Sequence, residues 1–137
     1  MNRMRMITSF RLLLVAMIAA AVGCSTAPDG PPRYALSGEA EYDGEPIPFG
    51  RILLEPDTSQ GNAGPAAVAD IQNGEFRTRP DAGHVGGKFK VTIIATDGSK
   101  PASPDVDNSL FSPFHTTVDL PAEDSRHSFT VPRDGAT

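Results

Sequence analysis

The chain has no tryptophan, only two tyrosines (Tyr34 and Tyr42) and a single cysteine, Cys24. Without tryptophan and with so few tyrosines, there is no aromatic cluster of the kind that forms a sugar-stacking platform. One cysteine rules out an internal disulfide and any cysteine-rich metal cluster. Long stretches free of both proline and glycine are also missing after Cys24. All 13 prolines and 12 of the 13 glycines lie beyond it, and the longest uninterrupted stretches there, 88–97 and 122–131, run to ten residues each. Helices average ~11–12 residues and rarely tolerate interior proline. Helix is therefore largely excluded, and short strands separated by turns remain.

Negative charge is absent before Cys24, and positive charge is outnumbered after it. The only charges before Cys24 are Arg3, Arg5 and Arg11, all positive. Three of the 12 basic residues and none of the 17 acidic ones precede Cys24, so residues 24–137 carry a net charge of −8. So acidic a chain, with no clustered Lys/Arg face, argues against binding nucleic acid or adsorbing electrostatically to anionic lipid. The acidic residues are scattered and read as a solvated surface.

The apolar run 12–22 (LLLVAMIAAAV) is eleven residues long. A bilayer-spanning helix needs ~20, because it rises ~1.5 Å per residue across ~30 Å of hydrocarbon. Eleven apolar residues behind a basic start match a secretory signal instead. Ala21-Val22-Gly23-Cys24 resembles the lipobox of bacterial lipoprotein signals, with Ala21 standing where leucine is usual. The resemblance implies cleavage after Gly23, a diacylglyceryl group on the Cys24 thiol and a location in the cell envelope, facing the periplasm or exterior. An ordinary secretory signal would instead leave Cys24 an exposed lone thiol, open to oxidation. Lipidation accounts for both the cysteine and its position. Two or more acyl chains hold a protein stably at a membrane, at ~0.8 kcal/mol per buried methylene. The expected organisation is a signal peptide over 1–23, a lipidated cysteine and proline-rich tether over 24–33, and a folded domain over 34–134.

In the domain, residues 35–42 alternate, with Leu36, Gly38, Ala40 and Tyr42 on one face, and the turn dipeptide Asp43-Gly44 follows. Residues 45–48 (EPIP) have two nitrogens without protons, which predicts an extended connection or an edge. A strand over 50–55 points Ile52 and Leu54 one way, and 58–64 is a polar loop. A strand over 66–71 turns at Asn73-Gly74 into a return strand over 75–78, with Phe76 and Thr78 inward. After a turn at 80–83, residues 88–95 form the strongest strand, with Phe89, Val91, Ile93 and Ala95 inward. Ile94 interrupts its polar face and predicts a strand that is central or partly covered on both sides. Residues 97–113 form a long irregular loop. Thr116, Val118 and Leu120 then mark a further strand, His127, Phe129 and Val131 mark the last, and 132–137 should fray. About seven strands predict an all-β, two-sheet sandwich.

The ordered series formed by residues 38–48, 50–54, 73–76 and 87–91 resembles the small extracytoplasmic domains called carboxypeptidase regulatory-like or transthyretin-like. It is similar in particular to short lipoproteins of this type in planctomycete-like bacteria. The resemblance covers most of 35–131. It implies a prealbumin-like Greek-key sandwich with no catalytic residue set, and no cofactor, to carry over.

Chemistry is thinly signalled. His84, His115 and His127 show no His-x-His or His-x3-His spacing, and only the fold could bring them together. The run 105–109 (DVDNS) lacks the glycine that a calcium loop needs for its turn. No Gly-x-Ser-x-Gly nucleophile elbow is present. Two function classes stay open. One is a non-catalytic envelope module contacting protein or polysaccharide through its loops (58–64 and 97–113) or an edge strand. The other is a small-molecule or metal-binding protein, or a hydrolase, built on His84, His115 and His127. The strand facing has a direct test: Val91→Asp buries an unpaired carboxylate in a central strand and should abolish folding, read as loss of the β-sheet circular dichroism signal.

Overall fold

The computed structural model describes residues 30–79, 81–99 and 107–133. The expected signal peptide, Cys24, most of the tether and the fraying end at 134–137 lie outside the described residues. The chain divides into Met1–Gly30 and a compact unit, Pro31–Thr137. Arg33, at the end of the expected tether, donates from Nη2 to the Ala66 carbonyl at 3.1 Å.

The compact unit is all-β and sandwich-type, with no α-helix among the described residues. Its strands are β1 (Leu36–Tyr42), β2 (Glu45–Pro46), β3 (Phe49–Pro56), β4 (Ala67–Gln72), β5 (Glu75–Thr78), β6 (Gly87–Thr96), β7 (Phe114–Leu120), β8 (Ser125–Arg126) and β9 (Phe129–Val131). One 3-10 turn, Thr58–Gln60, follows β3. The strands pair in the order β2-β1-β5-β4-β3-β6-β7, and β8 and β9 both join β1. The seven expected strands are present as β1, β3, β4, β5, β6, β7 and β9. Two further ones, β2 and β8, are two-residue pairings too short to leave a periodic signal.

β1 is flanked along its whole length on both edges. On one edge, Ser37–Glu39 pair antiparallel with β5, the Ala40 amide donates to Gly74 O at 2.8 Å, and Glu41–Tyr42 pair with β2. On the other edge, β8 and then β9 run parallel to it. Between them the His127 amide donates to Ser37 O at 3.0 Å. His127 is therefore not part of the last strand, as its alternation suggested, because the chain steps past β1 there. Gly38 permits that step: a Cβ on it would occupy the position of the His127 carbonyl.

Both turn dipeptides fold as their composition requires. Asp43 and Gly44 have φ of 54° and 84°, and Asn73 and Gly74 have 52° and 80°, the positive values of two-residue hairpins. The second hairpin tip docks on the proline-flanked segment. Asn73 N donates to Pro48 O and Gly74 N to Ile47 O, both at 2.8 Å, and Ile47 N donates to Ala40 O at 3.0 Å. Ile47 is fully buried, so 45–48 is an edge pairing followed by a buried connection.

The inward residues read from alternation form the core: Leu36, Ala40, Ile52, Leu54, Phe76, Phe89, Val91, Ile93, Ala95, Val118, Leu120, Phe129 and Val131. Each large one contributes about 1.5–3 kcal/mol by leaving water. Of the two readings that Ile94 left open, the structure shows the first: β6 is central, between β3 and β7, and Ile94 is 46% exposed because its outer face is uncovered. The long connection after β6 is partly built in: Leu110 N donates to Ala95 O at 2.9 Å and Phe111 is buried against Tyr42. Gly38→Ala should cost about 2 kcal/mol or more in urea unfolding, because the new methyl overpacks a fixed carbonyl. The His127 amide should then lose its hydrogen-exchange protection.

Candidate functional site

The three histidines occupy separate environments. His84 sits in the glycine-rich segment before β6 and is fully buried. Its backbone bridges Tyr34 in both directions, His84 N to Tyr34 O at 2.9 Å and Tyr34 N to His84 O at 2.8 Å. Gly83 makes this bridge possible, since a Cβ there would collide with the Tyr34 carbonyl. His115 lies on the exposed face of β7, opposite Thr92 on β6, with Nδ1 3.1 Å from the Thr92 hydroxyl. The β6–β7 register places that pair five residues along from Gly87, so it lies on the order of 16 Å from the start of β6 next to His84. His127 rests its ring on Phe129, centroids 4.7 Å apart. Among the described residues, no group of three His, Cys, Asp or Glu side chains is placed to hold a metal ion.

His84 does stand beside a serine. Ser125 Oγ lies 3.2 Å from Nε2, and the neighbouring Asp124 accepts the Ala35 amide at 2.7 Å. Sequence reading missed this trio because His84 lies 41 residues before Ser125, which adjoins Asp124, and no motif joins them. The geometry resembles a Ser–His pair but has the opposite polarity. The Gly86 amide donates to Nδ1 at 3.1 Å. In the neutral ring Nε2 must therefore carry the proton and donate to Ser125. A histidine that activates a serine needs its bare nitrogen facing the hydroxyl. His84 is thus a clamp that ties the N-terminal segment, the entry to β6 and β8 together. Burial pushes its pKa below the usual imidazole range, and the charge of Asp124 only partly offsets this.

The two loops expected to make contacts are internally braced. Asp57 Oδ1 accepts the Ser59 hydroxyl at 2.6 Å and the Ser59 amide at 3.1 Å, capping the 3-10 turn. Hydrogen bonding from Ser59 is the main reason that the Asp57 carboxyl lies below its ordinary range, with Lys90 at 3.6 Å adding to it. Asn62 Nδ2 donates to Lys88 O at 2.7 Å and to Gly86 O at 3.1 Å, fastening the loop onto β6. After β6, Asp97 Oδ1 accepts the Ser99 amide at 2.8 Å, while Asn108 Nδ2 donates to Ser99 O at 2.6 Å. Asp107 accepts the Ser109 amide at 2.9 Å, so its oxygen is engaged within its own loop. Asp105 and Val106 lie outside the described residues.

On the outer face of the sheet a groove of about 600 Å³ is lined by Ser37, Asp70, Gln72, Glu75, Arg77 and Arg126, among others. Those side chains come from β1, β4, β5 and β8, and all are polar because they alternate with the core residues beneath. No family model, curated protein or solved structure matches the chain.

The clamp predicts a pH dependence. The folded ring binds fewer protons than the unfolded one, so stability is full above the unfolded pKa of about 6.5 and falls as pH drops below it. Urea midpoints should decline from pH 7.5 to 5. His84→Gln should lower the midpoint at pH 7.5 and remove most of that decline.

Proposed function

We propose that the chain is a non-catalytic interaction module, held at the cell envelope by a lipid on Cys24 and facing the periplasm or exterior. The observation carrying this reading is one of position. Cys24 closes an eleven-residue apolar run behind three arginines, and the compact unit begins seven residues later at Pro31. An acylated cysteine there would hold the domain at a membrane without a spanning helix. Among the described residues, no helix is long and apolar enough to cross one.

The reading as a module, not an enzyme, is supported by the polarity of the His84–Ser125 contact, which leaves no free base facing the hydroxyl. The all-β, sandwich-type fold agrees with the likeness to carboxypeptidase regulatory-like domains, which brings no catalytic residue set to carry over. Partners in this reading are envelope protein or polysaccharide, and the polar outer face of the sheet is the contact surface.

Fractionation of cells expressing the full chain tests the anchor. The protein should pellet with membranes, and its intact mass should exceed that of the polypeptide by the attached acyl groups. Cys24→Ser should move it to the soluble fraction with no added mass. Tight membrane association of Cys24→Ser would sink the anchoring.

A further inference from the structure

The outer face of the sheet carries one cross-strand row rich in arginine. The register aligns Arg126 of β8 with Ser37 of β1, Ser37 with Arg77 of β5, Arg77 with Asp70 of β4, and Asp70 with Arg51 of β3. Asp70 is engaged by Arg51, Nε to Oδ1 at 3.0 Å. Among the described residues, Arg77 and Arg126 have no carboxylate within ion-pairing distance. They flank Ser37 from its two neighbouring strands, so their backbones stand about 10 Å apart at roughly 4.8 Å per strand. Arg77, Arg126 and Ser37 all line the same groove, as does the Arg51-paired Asp70. Two arginines without a carboxylate partner on one groove suit a planar carboxylate, which a guanidinium meets with two parallel N–H donors.

The rest of the groove restricts what can carry that carboxylate. Gln72, Asn73 and Glu75 line it further along β4 and β5, and Glu39 lies opposite Glu75 in the next row. These groups accept or donate hydrogen bonds to hydroxyls, and the carboxylates repel a second negative charge close to the first. A ligand that satisfies both ends has one carboxylate and several hydroxyls around it. With no tryptophan in the chain, recognition rests on charge and hydrogen bonds rather than ring stacking.

We propose that this groove binds a single uronic-acid unit set among neutral sugars of a polysaccharide, its carboxylate met by Arg77 and Arg126 on either side of Ser37 and its hydroxyls by Gln72, Asn73 and Glu75. The site deepens the interaction reading above by naming the ligand, and it does not depend on the lipid. A binding assay without membrane therefore reports on the groove alone, just as fractionation of Cys24→Ser reports on the anchor alone.

The test is calorimetric titration of the full chain in detergent with an oligosaccharide carrying one uronic-acid unit among neutral sugars, a neutral oligosaccharide of the same length and inorganic sulfate. The uronic-acid oligosaccharide should bind, more weakly as salt rises, and the neutral sugar should not. Arg77→Ala and Arg126→Ala should each weaken binding tenfold or more, with Arg77→Lys intermediate because lysine lacks the two parallel donors. Arg77→Gln and Arg126→Gln, which keep length and polarity, should show the same loss. Arg133→Ala, which removes only the ion pair with Asp43, should bind as the parent does. Both groove arginines are exposed, so unfolding midpoints should not move. The proposal fails if the uronic-acid oligosaccharide does not bind at millimolar concentration, if the neutral sugar or sulfate binds as well as it does, or if the Arg77 and Arg126 variants bind unchanged.

Discussion

The fold depends on one strand having both of its edges occupied. β1 accepts β5, the Gly74 turn and β2 along one edge, and β8, His127 and β9 along the other. Main-chain donors and acceptors there would otherwise be buried without partners, at a cost of about 1–3 kcal/mol each. Side-chain packing makes the same demand, since Leu36 and Ala40 of this strand have no measurable exposure. Closest approach occurs at Gly38, where the neighbouring carbonyl leaves no room for a side chain. One residue without a Cβ thus decides whether the C-terminal strands can reach their places.

The same molecule separates what holds it together from what faces outward. Its buried polar residues serve cohesion: Thr78 accepts the Leu36 amide through its hydroxyl, and His84 fastens three segments. The loops after β3 and β6 likewise direct their carboxylates at their own backbones. The outer face of the sheet is different, because its side chains contribute little to packing and are free to vary in charge. Arg51 is neutralised there, and the two arginines beside Ser37 are not. Polar residues under packing constraint and polar residues under none carry different kinds of information.

Much of the fold was legible in the sequence because its causes are local. Asp43-Gly44 and Asn73-Gly74 announce hairpins, since few other residues accept positive φ at both central positions. Residues 88–95 announce a strand through strict alternation. What could not be read depends on residues far apart in the chain. β8 is two residues long and is defined only by its partner. His127 looked inward by period but is diverted by the crossing at Gly38. Ile94 suggested a strand that is central or covered on both faces; β6 is central, and an exposed apolar side chain on it does not require cover. Neither the His84–Ser125 contact nor the arginine row leaves a mark on the sequence, because strand pairing brings their members together from distant positions. The anchor at Cys24 rests on a short local pattern, and its test is chemical.

The Ala35 amide reaches Asp124 across 89 positions, and the parallel pairing of β1 with β9 spans a similar interval. Made from its amino end, the chain exposes its first strand long before that strand's last neighbours exist. Hairpins such as β4–β5 can zip early, but closing so large a loop carries an entropic toll that is offset only once the final residues arrive. Completion is therefore a late and concerted event. Until then the half-satisfied edge of β1 is open to any other extended polypeptide nearby, which makes the interval between synthesis and closure the molecule's most vulnerable stage.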